Sequence, residues 1–171
     1  HIVVNALEQQ LLNVENQRLR DTVSELTSGV EIIGECPEMH KVLELVHTVG
    51  QTNTIVLVKG EVGTGKELVA RAIHQAGGRR YMPFVAVNCG AVADTMLADE
   101  LFGHEKDAFP GAMQQRKGKM EMAEGGTLFL DEIGNLDLKL QGELLNVLEK
   151  EQVTRLGGTE PIRTEFRLIC S

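Results

Sequence analysis

Leu12, Leu19 and Leu26 recur every seven residues, with Gln9, Asn16 and Val23 at the companion positions. Charged and amide residues such as Glu8, Gln10, Glu15, Gln17, Arg18, Arg20 and Asp21 fill most places between them. This heptad seam predicts a coiled-coil helix over residues 1–28 that pairs with a second copy; the alternative is an amphipathic helix lying on its own domain. After Gly29 the rhythm changes. A helix is expected from about Pro37 to His47, with Val42, Leu43 and Val46 on one side. Ile55 to Val58 are four consecutive apolar residues, three of them β-branched, which predicts a buried strand. Further strands are expected at Phe84–Val87, Thr127–Leu130 and Phe166–Cys170, and helices near Val92–Phe102 and over Leu138–Lys150. Strands alternating with helices predict an α/β sandwich with a mainly parallel sheet. Residues 103–126 break the pattern with five glycines (103, 111, 118, 125 and 126), Pro110 and the basic Arg116, Lys117 and Lys119, and are expected to form a working loop.

The chemistry sits at two strand ends. Gly60-Glu61-Val62-Gly63-Thr64-Gly65-Lys66 matches GxxxxGK between the first strand and a helix running to about Gln75. Glycines let such a loop curl its N–H groups toward phosphate oxygens at a positive helix start, and the lysine supplies a cation for the β and γ phosphates. Gly126-Thr127-Leu128-Phe129-Leu130-Asp131-Glu132 is an apolar strand ending in two acids. At such a place Asp131 is expected to hold magnesium, directly or through water, and Glu132 to orient and deprotonate the attacking water. A hydroxyl residue usually follows the lysine; here Glu67 does. Thr64, or Glu67 acting through water, is left to complete the magnesium shell, and the sequence does not choose between them.

Length and charge narrow the class. The 171 residues suit one ordinary domain, and the net charge of -8 argues against a DNA-coating surface without opposing a local nucleotide site. No apolar run approaches the ~20 residues of a membrane span, so a cytoplasmic protein with no membrane partner is expected. Cys36, Cys89 and Cys170 form no CxxC pair, and Cys89 is expected to be a buried small hydrophobe. His104-Glu105 fails as a zinc motif because Ala108 stands where HExxH needs histidine. His40, His47 and His74 are expected at the surface or in packing, and Met96, Met113, Met120 and Met122 in packing.

From about Glu31 onward the chain resembles the first part of the AAA+ domain of bacterial sigma-54-dependent transcription activators, the enhancer-binding proteins. The resemblance rests on Gly60 to Glu67, Phe84-Val85-Ala86-Val87-Asn88-Cys89, Glu100-Leu101-Phe102-Gly103-His104-Glu105-Lys106, Gly125 to Gly134 and Arg155-Leu156-Gly157-Gly158. It implies a P-loop NTPase fold, a three-layer α-β-α sandwich, that is C-terminally incomplete and preceded by the coiled-coil helix. The implied cofactors are ATP and magnesium. Catalytic roles fall on Lys66, Glu132 and Asn88, the last pairing with Glu132 to hold or release it. The nucleotide would meet Ile32, Ile33 and Gly34 at the adenine, then Gly60, Glu61, Val62, Gly63, Thr64, Gly65, Lys66, Glu67, Leu68 and Asp131. In that family Glu67 is the usual residue after the lysine.

The resemblance also implies two pore loops, the second framed by Leu136–Leu140 and Arg155–Gly158. In the first, activators carry GAFTGA against sigma-54, whereas this chain reads Asp107-Ala108-Phe109-Pro110-Gly111-Ala112. Asp107, Phe109 and Pro110 are the expected partner contacts. Implied partners are a second copy through the N-terminal helix, a hexameric or heptameric ring in the intact protein, and sigma-54 RNA polymerase, with no direct DNA contact by this segment. The family's arginine fingers, lid and last core strand lie beyond residue 171. The strand feeding the glycine loop is therefore expected at an exposed edge, and the chain alone is expected to hydrolyse ATP poorly.

Overall fold

The computed structural model describes residues 32–34, 36–91 and 93–171, which divide between two units, one ending at Ile33 and the other running from Gly34 to Ser171. The heptad segment 1–28 lies outside the described residues. All elements below belong to the second unit.

In chain order they are α1 (Pro37–Gly50), β1 (Val56–Leu57), α2 (Lys66–Ala76), β2 (Phe84–Asn88), α3 (Asp94–Phe102), β3 (Gly103–His104), β4 (Arg116–Lys117), α4 (Lys119–Met122), β5 (Thr127–Asp131), α5 (Leu138–Lys150), β6 (Gln152–Val153), β7 (Ile162–Arg163) and β8 (Arg167–Cys170). A short 3-10 turn, Ile133–Asn135, links β5 to α5. The main sheet has the order β1-β8-β5-β2, with every pair parallel. The last strand in sequence is thus inserted between the first and third of the sheet, which brings β8 beside both β1 and β5.

Strand alternation sorts the side chains into two cores. Leu128 and Leu130 of β5, with Leu168 and Cys170 of β8, face Leu97, Leu101, Met120, Leu140, Leu144 and Val147 from α3, α4 and α5. Phe129 and Ile169 point the other way, against Val46 of α1 and Ala70 and Ile73 of α2. Helices therefore cover both faces, giving the expected three-layer sandwich. Arg167 belongs to the second face and is only 4% exposed. Its guanidinium donates to Gly50 O at 3.2 Å and to Val49 O at 2.8 Å. A buried arginine with no acid paired to it among the described residues is thus held by the carbonyl end of α1, where the helix dipole is negative.

The structure changes some expectations. The first strand shortens to Val56–Leu57, and it pairs on one side with β8, so it lies at the sheet edge with Ile55 and Leu57 more than half exposed. Residues 103–126 are more ordered than a loop, because β3 and β4 pair as an antiparallel ribbon and α4 buries Met120. The hairpin of β6 and β7 had no clear signal, being two residues a side. Leu136 and Leu140 are buried in the first core, while Leu138 between them is exposed. Met120 packs as expected, whereas Met96, Met113 and Met122 are exposed.

Candidate functional site

In a parallel sheet all strands end at the same edge, so the loop after β1 and the acids after β5 open on one rim, with the end of β8 between them. Gly63 and Gly65 of the first loop have φ of 83° and 82°, a left-handed conformation that glycine adopts without strain. A Cβ on Gly60 would lie 2.8 Å from Thr64 Oγ1, so a larger residue there would displace the threonine hydroxyl. Thr64 Oγ1 and Lys66 Nζ both donate to Glu61 O, at 2.8 and 3.0 Å. No side chain caps α2 at Gly65, so the helix presents bare N–H groups and its positive end at this loop. Val62 at the tip is 90% exposed, and Leu68 is half exposed. Glu67 is turned along the helix to Arg71, with bonds of 2.7 and 3.0 Å, and the Arg71 guanidinium lies 4.5 Å from the centre of the Phe84 ring.

At the end of β5, Asp131 Oδ1 accepts from the Ser171 hydroxyl, leaving its other oxygen without a partner among the described residues. Ser171 extends β8, so the neighbouring strand orients this carboxylate. Glu132 has a φ of 55° and opens the 3-10 turn. Its N–H donates to Ser171 Oγ at 3.3 Å, and its Oε2 accepts from Asn135 Nδ2 at 3.0 Å. Asn88 ends β2 directly beside Asp131 in register. Its Oδ1 accepts from Gly90 N at 2.8 Å, and no hydrogen bond joins it to Glu132. The structure thus brings Asn88, Asp131 and Glu132 to one place without the expected Asn88–Glu132 bond. Asn135 carried no signal in the sequence because an amide in a turn has no motif of its own.

Gly34 packs closely on Met39 at the start of α1. Ile32 and Ile33 fall in the other unit. Among the described residues no group of three His, Cys, Asp or Glu is gathered for a metal, and no helix is long and apolar enough to cross a membrane.

The β3–β4 ribbon carries the second feature. Phe109, Pro110, Gly111 and Ala112 close a turn through Ala112 N to Phe109 O at 3.0 Å. Gly111 has a φ of 106°, and proline followed by positive-φ glycine is the sequence of a type II turn. Phe109 meets the His104 ring edge-on at 5.0 Å, and His104 is held by Asp99. Asp107 has a φ of 65°, a conformation that favours glycine. Arg155 bonds Glu105 at 2.8 Å and Glu121 at 2.7 Å, and Glu105 N donates to Leu156 O at 3.0 Å. Gln115 and Arg155 together hold the Glu105 carboxyl below the usual range. A Cβ on Gly157 would press on Ala108 at 2.6 Å, so the Arg155–Gly158 segment locks against the loop over residues 107–112.

Residues 32–171 match the family model described as the Sigma-54 interaction domain. A Nif-specific regulatory protein of Azospirillum lipoferum is 44% identical over 165 residues, covering 96% of this chain and 26% of that protein. Another, from Sinorhizobium fredii (strain NBRC 101917 / NGR234), is 51% identical over 140 residues, covering 82% and 24%. The chain therefore spans about a quarter of the length of these curated relatives. Among solved structures, NtrX from Brucella abortus in complex with ATP superimposes with a TM-score of 0.78 at 35% identity, over 92% of this chain and 33% of that one. The same protein in complex with ADP gives 0.77 at 32% identity, over 98% and 37%. The chain belongs to the Sigma-54 interaction domain family, built on an α/β sandwich of the AAA+ P-loop NTPase type.

Proposed function

We propose that this chain is the ATP-binding domain of a sigma-54-dependent transcriptional regulator, and that the intact protein couples magnesium-dependent ATP hydrolysis to remodelling of the RNA polymerase holoenzyme. The observation that carries the reading is the meeting of the Gly60–Lys66 loop and the Asp131–Glu132 pair on one rim of a parallel sheet. The ATP and ADP complexes of NtrX, a similar protein, support nucleotide as the ligand.

The phosphates fit the loop because its glycines have the required φ and α2 opens onto it without a cap. Lys66, folded onto Glu61 O here, would exchange that carbonyl for phosphate oxygens. The unpartnered oxygen of Asp131 fits a magnesium ion, which when bound neutralises phosphate charge. Glu132 accepts a proton from the attacking water. Glu67 is engaged by Arg71, which leaves the Thr64 hydroxyl as the better placed of the two candidate groups for the magnesium shell. Arginines from a neighbouring subunit in a ring would complete the charge stabilisation.

The loop tip shapes the partner interaction. Pro110 supplies no N–H and fixes its own φ, so the tip is a stiff turn carrying Phe109 on His104. Sigma-54 engagement through Asp107, Phe109 and Pro110 is therefore weakened relative to a loop with glycine and threonine at 107 and 110. The test is turnover and sigma-54 binding by the full-length protein in the presence of an ATP transition-state analogue. Glu132→Gln abolishes turnover, and Asp107→Gly with Pro110→Thr strengthens sigma-54 binding. Turnover that survives Glu132→Gln contradicts the catalytic assignment, and equal binding by both loops contradicts the second claim.

A further inference from the structure

The only hydrogen bond from a described protein group to the Glu132 carboxylate comes from Asn135. Three features fix the pair. Glu132 starts the turn in the left-handed region, and Asn135 N closes it on Glu132 O at 2.9 Å, so the asparagine side chain returns over its own turn to Oε2. On the other side lies Gly90: a Cβ there would overlap Glu132 Oε2 and sit 2.6 Å from Asn135 Nδ2. Gly90 is itself tied through its N–H to the Asn88 side chain at 2.8 Å. The carboxylate is thus bonded on one oxygen and walled on one flank, while its Oε1 has no partner among the described residues.

We infer that Asn135 is a positioning residue for Glu132: its amide pins Oε2 against the Gly90 wall and leaves Oε1 to accept the proton of the attacking water. This rests on the hydrolytic reading above. Glutamate has several rotatable bonds, and a single charge-assisted hydrogen bond selects one arrangement of them at the site where a small misplacement slows a reaction steeply. The geometry also gives Asn88 a route to Glu132 without contact, because Asn88 holds the turn whose glycine forms the wall. Water is activated by transfer of its proton to Oε1 as its oxygen bonds to the γ-phosphorus and the bond from that phosphorus to the bridging oxygen breaks, so that ADP leaves with the bridging oxygen; the Asn135 amide keeps both its protons throughout.

Two measurements test this. In the nucleotide-free chain labelled with nitrogen-15, the Asn135 side-chain amide signals are followed in Glu132→Ala and in Gly90→Ala. Both variants are expected to move these signals; signals unmoved by Glu132→Ala overturn the inference. In the full-length protein Asn135→Ala is expected to lower kcat about tenfold with KM for ATP within twofold of wild type, and Asn135→Gln, which keeps the donor, to recover part of the loss. A kcat within twofold of wild type overturns it, as does a fall in kcat matched by loss of ATP binding, which marks a merely structural role. Wild-type protein that neither binds nor hydrolyses ATP counts against the proposed function instead. The amide measurement needs no nucleotide and judges the Asn135 contact by itself.

Discussion

His74 shows how burial turns an ordinary side chain into a determinant of stability. It is 6% exposed, shares a 2.8 Å hydrogen bond between Nδ1 and Thr127 Oγ1, and meets the Phe84 ring edge-on at 5.3 Å. Burial lowers its pKa from 6.5 to about 4, Arg167 and Arg71 add to the effect, and a hydrogen bond with the Met82 backbone opposes it. The unfolded chain therefore takes up a proton near pH 6.5 that the folded chain refuses until about pH 4. The stability from the neutral ring is present in full above pH 6.5 and is lost as pH falls toward 4, on the order of 3 kcal/mol. Denaturant titrations across that window should show a flatter acid limb for His74→Gln than for wild type. The cysteines respond to burial in the opposite direction. Desolvation pushes the Cys89 and Cys170 thiols up to about 11, while Cys36 is exposed. Iodoacetamide at pH 8 should modify Cys36 alone in the folded chain and all three after denaturation, as mass spectrometry of the peptides would show.

Among the elements, α5 is the one whose limits the sequence predicted to the residue, and the reason is local. Asp137 accepts from Leu140 N at 2.6 Å as an N-cap, and Leu140, Leu144 and Val147 supply a strong apolar stripe. Asp137→Ala should cost about 1 kcal/mol, read as a lower denaturation midpoint. Gly142 lies inside the same helix with nothing within 4 Å of the place a Cβ would occupy, so Gly142→Ala should raise stability by up to about 1 kcal/mol in the same assay. Elements set by distant contacts were harder to read. The β3–β4 ribbon exists because Gly103 and Gly118 let two backbones pass where any Cβ would strike the opposite chain. The loop's lock depends on Arg155 reaching Glu105 and Glu121, 50 and 34 residues away in sequence. The site followed the same division. Gly60–Lys66 and Asp131–Glu132 are contiguous and were legible; the Asn135 contact is local too but belongs to a turn with no motif of its own, and the Gly90 wall and the Ser171 bond to Asp131 depend on how three strand ends meet.

At the scale of the molecule, the insertion of β8 between β1 and β5 has three consequences. It places Ser171 on Asp131 and Glu132, sets both acids on the rim shared with the glycine loop, and leaves β1 at the edge. Its Arg167 fastens the opposite end of the strand to α1. Binding of ATP at this rim through the glycine loop has a direct test in the stability of the chain with and without ATP and magnesium. A ligand that binds the folded state alone stabilises it by about 2.7 kcal/mol at a hundredfold excess over Kd. The expected result is a clear rise in the unfolding midpoint for wild type and for Glu132→Gln, and loss of most of that rise in Lys66→Ala. No rise in wild type, or an equal rise in Lys66→Ala, would contradict ATP binding by this loop.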